Sequence, residues 1–160
     1  MELYNYTIAD MADILHQASF LYMAANLSLD FGTGESYTPI EVHMLKYITD
    51  YPGKTVTELS RDWYKTKAAI SQMMAKLEKK GLIYKKPAPD SDKKQLYFAT
   101  EKGITINQAH INYDSVAFRH TLDLMRESCT DEEIAHCFHV LEEYTKTKRK
   151  QNSRSNGRQE

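Results

Sequence analysis

The chain has 160 residues, 27% of them charged, and a formal charge of −1 at neutral pH. At about 100–200 residues per domain, that length supports one domain with a sizeable core and excludes two full catalytic domains. The start M-E-L-Y-N-Y-T-I-A-D lacks the basic opening of a signal peptide, and the most apolar run, Phe20 to Leu27, is broken by Asn26; it falls far short of the roughly 20 residues of a membrane span, so a soluble cytoplasmic protein is expected.

Threonine marks the helix starts. Thr7, Thr38, Thr55 and Thr130 each stand three residues before a carboxylate (Asp10, Glu41, Glu58, Glu133), the capping-box spacing that satisfies the orphan backbone N–H groups of a helix N-terminus. A first helix is expected over about residues 7–30, then a glycine-bearing loop, F-G-T-G-E-S-Y, from Phe31 to Tyr37. Three shorter helices follow at about 39–50, 56–63 and 67–80, with Pro39 at a first helical position, Thr66 opening the third, and Tyr51-Pro-Gly53 and Gly81 as stops. The period then changes to that of strands. Leu82-Ile-Tyr-Lys-Lys and Gln95-Leu-Tyr-Phe-Ala read as a hairpin joined by P-A-P-D-S-D-K-K, whose prolines and aspartates exclude helix. A long helix to about Arg126 places Ile104, Ile111, Phe118, Leu122 and Met125 along one face. The last helix starts at Thr130 and gives way to a polar tail, residues 151–160, expected to be disordered. Cys129 and Cys137 are too few and too close for a secreted disulfide framework and read as buried or idle thiols.

The expected fold is therefore mainly α with a small β-hairpin wing: a winged helix-turn-helix over residues 38–100, preceded by an N-terminal helix and loop (1–37) and followed by C-terminal helices (101–150). A helix of about 25 residues spans about 37 Å, more than so small a module covers. The apolar stripes of the outer helices would be buried by a second copy, giving a two-fold homodimer.

Charge is unevenly distributed. Arg61 to Lys94 holds ten Lys and Arg against four Asp and Glu, and Lys146 to Glu160 holds six against one. Basic zones on an acidic body suit a polyanion, because neutralising phosphates releases counterions; a solvated lysine-rich face is the plainer alternative. Within residues 67–80, Ile70, Met73, Met74 and Leu77 form an apolar face, leaving Lys67, Ala68, Ser71, Gln72 and Lys76 on the other. Short alanines let the helix start, capped by Thr66, approach a duplex. Gln72 has the donor–acceptor pair for adenine and Ser71 is permissive. Lys67, Lys76, Lys79 and Lys80 suit phosphates, and Lys85, Lys86, Lys93 and Lys94 on the hairpin would reach the neighbouring groove or its backbone.

Residues 38–103 resemble the MarR family of bacterial winged-helix regulators in T-P-I-E-V-H-M-L-K-Y-I, T-V-T-E-L-S, T-K-A-A-I-S-Q-M-M-A-K-L-E-K-K-G-L-I and L-Y-F-A-T-E-K-G, in that order and spacing. The flanking helices fit the family's dimerisation region. The resemblance implies a homodimer on double-stranded DNA at a pseudo-palindromic operator, commonly a repressor released by a ligand or by oxidation, with no enzymatic activity. Three features depart from the family pattern. The wing tip is Asp90-Ser91-Asp92-Lys93-Lys94, with lysine where an arginine usually enters the minor groove. Trp63-Tyr64 replaces the usual Leu-Gly, and the first helix has no cysteine for peroxide sensing.

The resemblance also implies an effector site between the dimer helices and the reading module. Tyr22, His43, Tyr47 and Tyr113 are candidates to line it, although aromatics at helical spacing also serve as plain core. His110 and Asp114, one helical turn apart, together with His43, resemble the ligand positions of the family's zinc-sensing members. No Asp or Glu stands in residues 20–29 to complete that set, so a His–Asp hydrogen bond in the scaffold is the alternative to zinc. His136, Cys137 and His139 read as surface residues of the last helix. Two rival functions use other chemistry: a winged-helix protein-interaction module, and a small enzyme, for which neither a phosphate-cradling glycine loop nor a nucleophile elbow is present.

Overall fold

The computed structural model describes residues 6–24, 28–89 and 91–156. In chain order these form α1 (Ile8–Ala24), β1 (Leu29–Asp30), β2 (Ser36–Tyr37), α2 (Pro39–Asp50), α3 (Val56–Asp62), α4 (Lys67–Lys79), β3 (Ile83–Ala88), β4 (Ser91–Ala99), α5 (Glu101–Met125) and α6 (Asp131–Asn156). The mainly helical fold with one hairpin wing is the expected one.

The threonine starts act as expected. Thr7, Thr55 and Thr130 each accept from the backbone N–H of the acid three residues on, at 3.2 Å, while their own N–H groups donate to its carboxylate at 2.8 Å. Thr38 donates from both N and Oγ1 to Glu41 Oε2, at 2.7 and 2.9 Å. Thr66 Oγ1 accepts from Ala69 N at 3.2 Å, and Thr100 Oγ1 accepts from Gly103 N at 3.0 Å.

The chain departs from expectation at both ends. The first helix does not run through residue 30: Leu29 and Asp30 pair antiparallel with Tyr37 and Ser36, so the supposed loop is a small hairpin. Asp30 Oδ1 accepts from Thr33 N at 2.7 Å and Gly34 N at 3.1 Å, and Gly32 and Gly34 take φ of +80° and +74°. This side-chain turn competes with helix continuation, and only glycine adopts such φ values without strain. At the other end α6 continues through residues 151–156, which were expected to be disordered. Once a helix is nucleated, each further residue adds a hydrogen bond, so polar residues at its end extend it readily.

The wing pairs Ile83 with Ala99 through Pro87 with Gln95, then shifts register to pair Ala88 with Ser91. The tip is thus shorter than the eight-residue connection expected, and Lys93 and Lys94 lie on β4; Asp90 is outside the described residues. Reciprocal bonds between Tyr97 and the α2–α3 loop, Gly53 N to Tyr97 O at 2.9 Å and Tyr97 N to Lys54 O at 3.1 Å, seat the wing's base.

The core lies between residues 37 and 106. Met44, Leu45 and Ile48 of α2, Leu59 of α3, Ile70, Met74 and Leu77 of α4, and Leu82 are fully buried, with Tyr97 and Ile106 nearly so. Burial of each large aliphatic side chain contributes about 1.5–3 kcal/mol. Helix α5 meets this core through Gly103, Ile106, Asn107 and His110. The stripe Ile104 through Met125, expected to face a second copy, lies on a neighbouring face and is partly open in the single chain, with Ile104 and Phe118 exposed. Phe118 meets Phe138 of α6 edge-on at 5.6 Å. Cys129 and Cys137 are exposed free thiols rather than buried ones.

Gly103 sets the distance between α5 and the strand that follows the reader helix. A Cβ there would stand 2.0 Å from the Leu82 carbonyl oxygen, a backbone atom that cannot rotate away. Gly103→Ala is expected to destabilise the fold by about 3 kcal/mol or more, read as a lowered denaturant midpoint.

Candidate nucleic-acid interface

Helix α4 is amphipathic in the sense expected. Ile70, Met74 and Leu77 are buried and Met73 is half-buried, whereas Thr66, Lys67, Ala68, Ser71 and Gln72 are all exposed. The turn before it contains the two bulky residues singled out in the sequence. Trp63 packs on the core and meets Tyr47 edge-on at 5.9 Å. Tyr64 adopts φ +51°, the left-handed region usually given to glycine, and stays exposed.

The lysines differ in what surrounds them. Lys67 and Lys79 are exposed and make no ion pair among the described residues. Lys76 and Lys80 instead reach inward to Glu41 Oε1 on α2, at 3.1 and 2.9 Å, and Glu41 is only 2% exposed. Both were expected as phosphate contacts; in the folded chain they also supply the opposite charge that a buried carboxylate requires. Burial alone would raise the Glu41 pKa, but the Thr38 backbone bond, Lys80, the Thr38 hydroxyl and Lys76 outweigh it and hold the pKa at about 2.

On the wing, Lys85 lies 3.3 Å from Glu78 Oε2. Lys86 stands 5.4 Å above the Tyr84 ring and 5.7 Å above that of Phe98. Lys93 and Lys94 are exposed and face the start of α3 across a groove of about 530 Å³ lined also by Thr55, Thr57 and Gln95. Reader helix and wing thus present their basic side chains from separate elements joined by a shared core.

A second cluster lies where α5 crosses α2. His110 Nε2 is 3.0 Å from Asp114 Oδ2, the His43 and His110 rings meet edge-on at 4.9 Å, and one ligating atom from each of the three residues falls within 4.8 Å of the others. Burial lowers the His110 pKa, with Asp114 opposing, and its Nδ1 has no hydrogen-bond partner among the described residues. Leu29, Phe31, Tyr37 and Tyr113 line, with the cluster, a pocket of about 30 Å³, room for an ion or a water or two. Of the four residues expected to line an effector site, His43 and Tyr113 are present. Tyr22 is 57% exposed elsewhere, and Tyr47 donates to Asp62 at 2.8 Å. Burial, then Asp62, push the Tyr47 hydroxyl up to about 12. Phe31 and Tyr37 were missed because their segment looked like loop; the apolar residue at each end of F-G-T-G-E-S-Y was the available signal.

Residues 36–94 match the family described as MarR family. The HTH-type transcriptional regulator YhjH of Bacillus subtilis is 28% identical over 109 residues, a match covering 68% of this chain and 61% of the relative's length. A MarR protein from Peptoclostridium difficile superposes with a TM-score of 0.74 at 18% identity, covering 97% of both chains. FabT of Streptococcus pneumoniae, solved in complex with DNA, gives 0.61 at 18% identity, covering 86% of this chain and 91% of the other. The chain is thus similar to MarR-family regulators over residues 36–94 and shares the fold of solved members. Among the described residues no helix is long and apolar enough to cross a membrane.

The Glu41 cluster has a defined acid response. Its folded pKa of about 2 lies below the ordinary 4.5, so its stabilisation is complete above pH about 4.5 and is lost as pH falls toward about 2, on the order of 3 kcal/mol. Acid unfolding of wild type and Glu41→Gln should therefore differ in that window, the variant starting less stable and losing less.

Proposed function

We propose that the protein is a homodimeric, sequence-specific DNA-binding transcription regulator, acting as a repressor on a pseudo-palindromic operator. The observation that carries this reading is the exposed face of α4, Thr66, Lys67, Ala68, Ser71 and Gln72, backed by a buried apolar face and flanked by a basic wing. That face has the size and chemistry for a major groove: small residues at the helix start for close approach, an amide for a base edge, and lysines for the backbone. Lys85, Lys86, Lys93 and Lys94 would contact the flank. They act as point charges, without the fork by which an arginine reads a narrow minor groove.

Dimerisation is supported by apolar surface that the single chain leaves uncovered. Phe20 and Leu21 of α1, Val116 of α5 and Val140 of α6 are each more than 60% exposed. A second copy packed on these helices would bury them and fix the spacing of two reader helices along the duplex.

The His43, His110 and Asp114 cluster favours one form of regulation over another. Its volume suits an ion, its ligand types suit zinc, and burial lowers the His110 pKa, which favours the neutral, ligating form. The three side chains would tie α2 to α5 around the metal, with water or a further group completing the set. Without an ion, His110 and Asp114 contact each other directly at 3.0 Å.

Salt-dependent binding of the purified protein to DNA upstream of its own gene tests the main reading. Gln72→Ala should reduce discrimination against unrelated DNA about tenfold, the scale of one bidentate base contact; no binding at low salt, or an unchanged ratio, would favour a protein-interaction role. For the metal, elemental analysis should find about one zinc per chain in wild type and none in His110→Ala, with operator affinity responding to added zinc only in wild type. Absence of zinc from protein purified without chelator would leave the His–Asp contact as structural.

A further inference from the structure

We infer that Glu41 is a specificity-determining residue of DNA reading: an internal counter-ion that occupies Lys76 and Lys80, withholds them from phosphate, and fixes the seat of the reader helix on α2. The inference rests on the DNA-binding reading above and adds a residue that contacts no DNA.

The geometry is that of a junction. Glu41 Oε2 receives Thr38 N and Oγ1 at the start of α2, while Oε1 faces the two ammonium groups from the last turns of α4. Lys80 is itself held from three sides: its Nζ donates to Ser36 O at 2.9 Å, stands 4.7 Å over the Tyr37 ring and pairs with Glu41. Lys102 of α5 then donates to the Lys80 carbonyl at 3.0 Å and to Glu35 Oε1 at 2.8 Å. The far end of the reader helix is therefore tied to α2, to the β1–β2 hairpin and to α5. Its near end, around Lys67 and Ser71, is left open to a ligand.

The consequence is physical. A lysine free on a reader helix attracts any duplex equally, because phosphates carry no sequence. Pairing two of them with an internal carboxylate lowers that indiscriminate attraction, and it also holds Ser71 and Gln72 at one angle to the domain. Both effects raise the ratio of specific to non-specific binding. Glu41 does this only because it is buried: an exposed carboxylate would be screened by salt and would compete poorly with a polyanion for the lysines.

The salt dependence of binding separates this role from direct phosphate contact. Each phosphate contact contributes about 0.9 to the slope of log affinity against log salt concentration. Lys76→Gln, at a half-exposed position where the fold should persist, is expected to leave the slope for non-specific DNA unchanged. Glu41→Gln, which frees both lysines, is expected to steepen that slope by up to about 1.8, to raise non-specific affinity severalfold, and to lower the specific-to-non-specific ratio. Loss of about one slope unit in Lys76→Gln overturns the inference, as does an unchanged slope and ratio in folded Glu41→Gln. If Glu41→Gln fails to fold, the Lys76→Gln slope decides alone. Wild-type protein without salt-dependent DNA binding would overturn the DNA reading and this inference together; wild-type binding with a shallower Lys76→Gln slope overturns only the inference.

Discussion

One apolar seam along α2 organises the molecule. Met44, Leu45 and Ile48 are fully buried, and the reader helix, the wing's second strand and the long helix α5 all pack against this helix. The seam determines which side of each neighbour turns outward. Because Ile70, Met74 and Leu77 must face α2, Ser71 and Gln72 face solvent; because Gly103 and Ile106 must face it, the rest of the α5 stripe is left for another partner. The functional faces are what remains after core packing has taken its share of each helix.

The polar side of α2 couples the same elements by charge. Glu41 at its start joins α4, and His43 two residues on meets His110 of α5. Tyr47 further along reaches Asp62, which also lies 3.4 Å from Lys54. A displacement of α5 relative to α2 at the histidine cluster would act on the same rigid helix that seats α4.

Much of the architecture was legible from local signals. The capping boxes act over three residues, and the positions of α2, α3, α4 and the hairpin follow from them and from glycine stops, so their ends fall within a few residues of expectation. The burial of Ile70, Met74 and Leu77 followed from helical spacing. Errors arose where local signals competed. At Asp30 a side-chain turn with two glycines forms a small hairpin where helix and loop were expected. Along α5, by contrast, Gly103 and Ile106 face α2 and leave open the neighbouring stripe that was expected to meet a second copy.

The sequence by itself determined the element order and the buried and exposed faces of α4, because these depend on hydrogen bonds and periodicities spanning a few residues. It also placed His110 and Asp114 together, since one helical turn separates them. Tertiary structure alone decided that His43 joins that pair while Tyr47 and Tyr22 do not, and that Lys76 and Lys80 turn inward to a buried Glu41 while Lys67 stays outside. A lysine's sequence environment does not reveal which carboxylate, some 35–39 positions away, the core will bring within 3.1 Å of its ammonium group. That proximity follows from the packing of α2 against α4, where burial of one carboxylate leaves the nearest cations no equally favourable place to go.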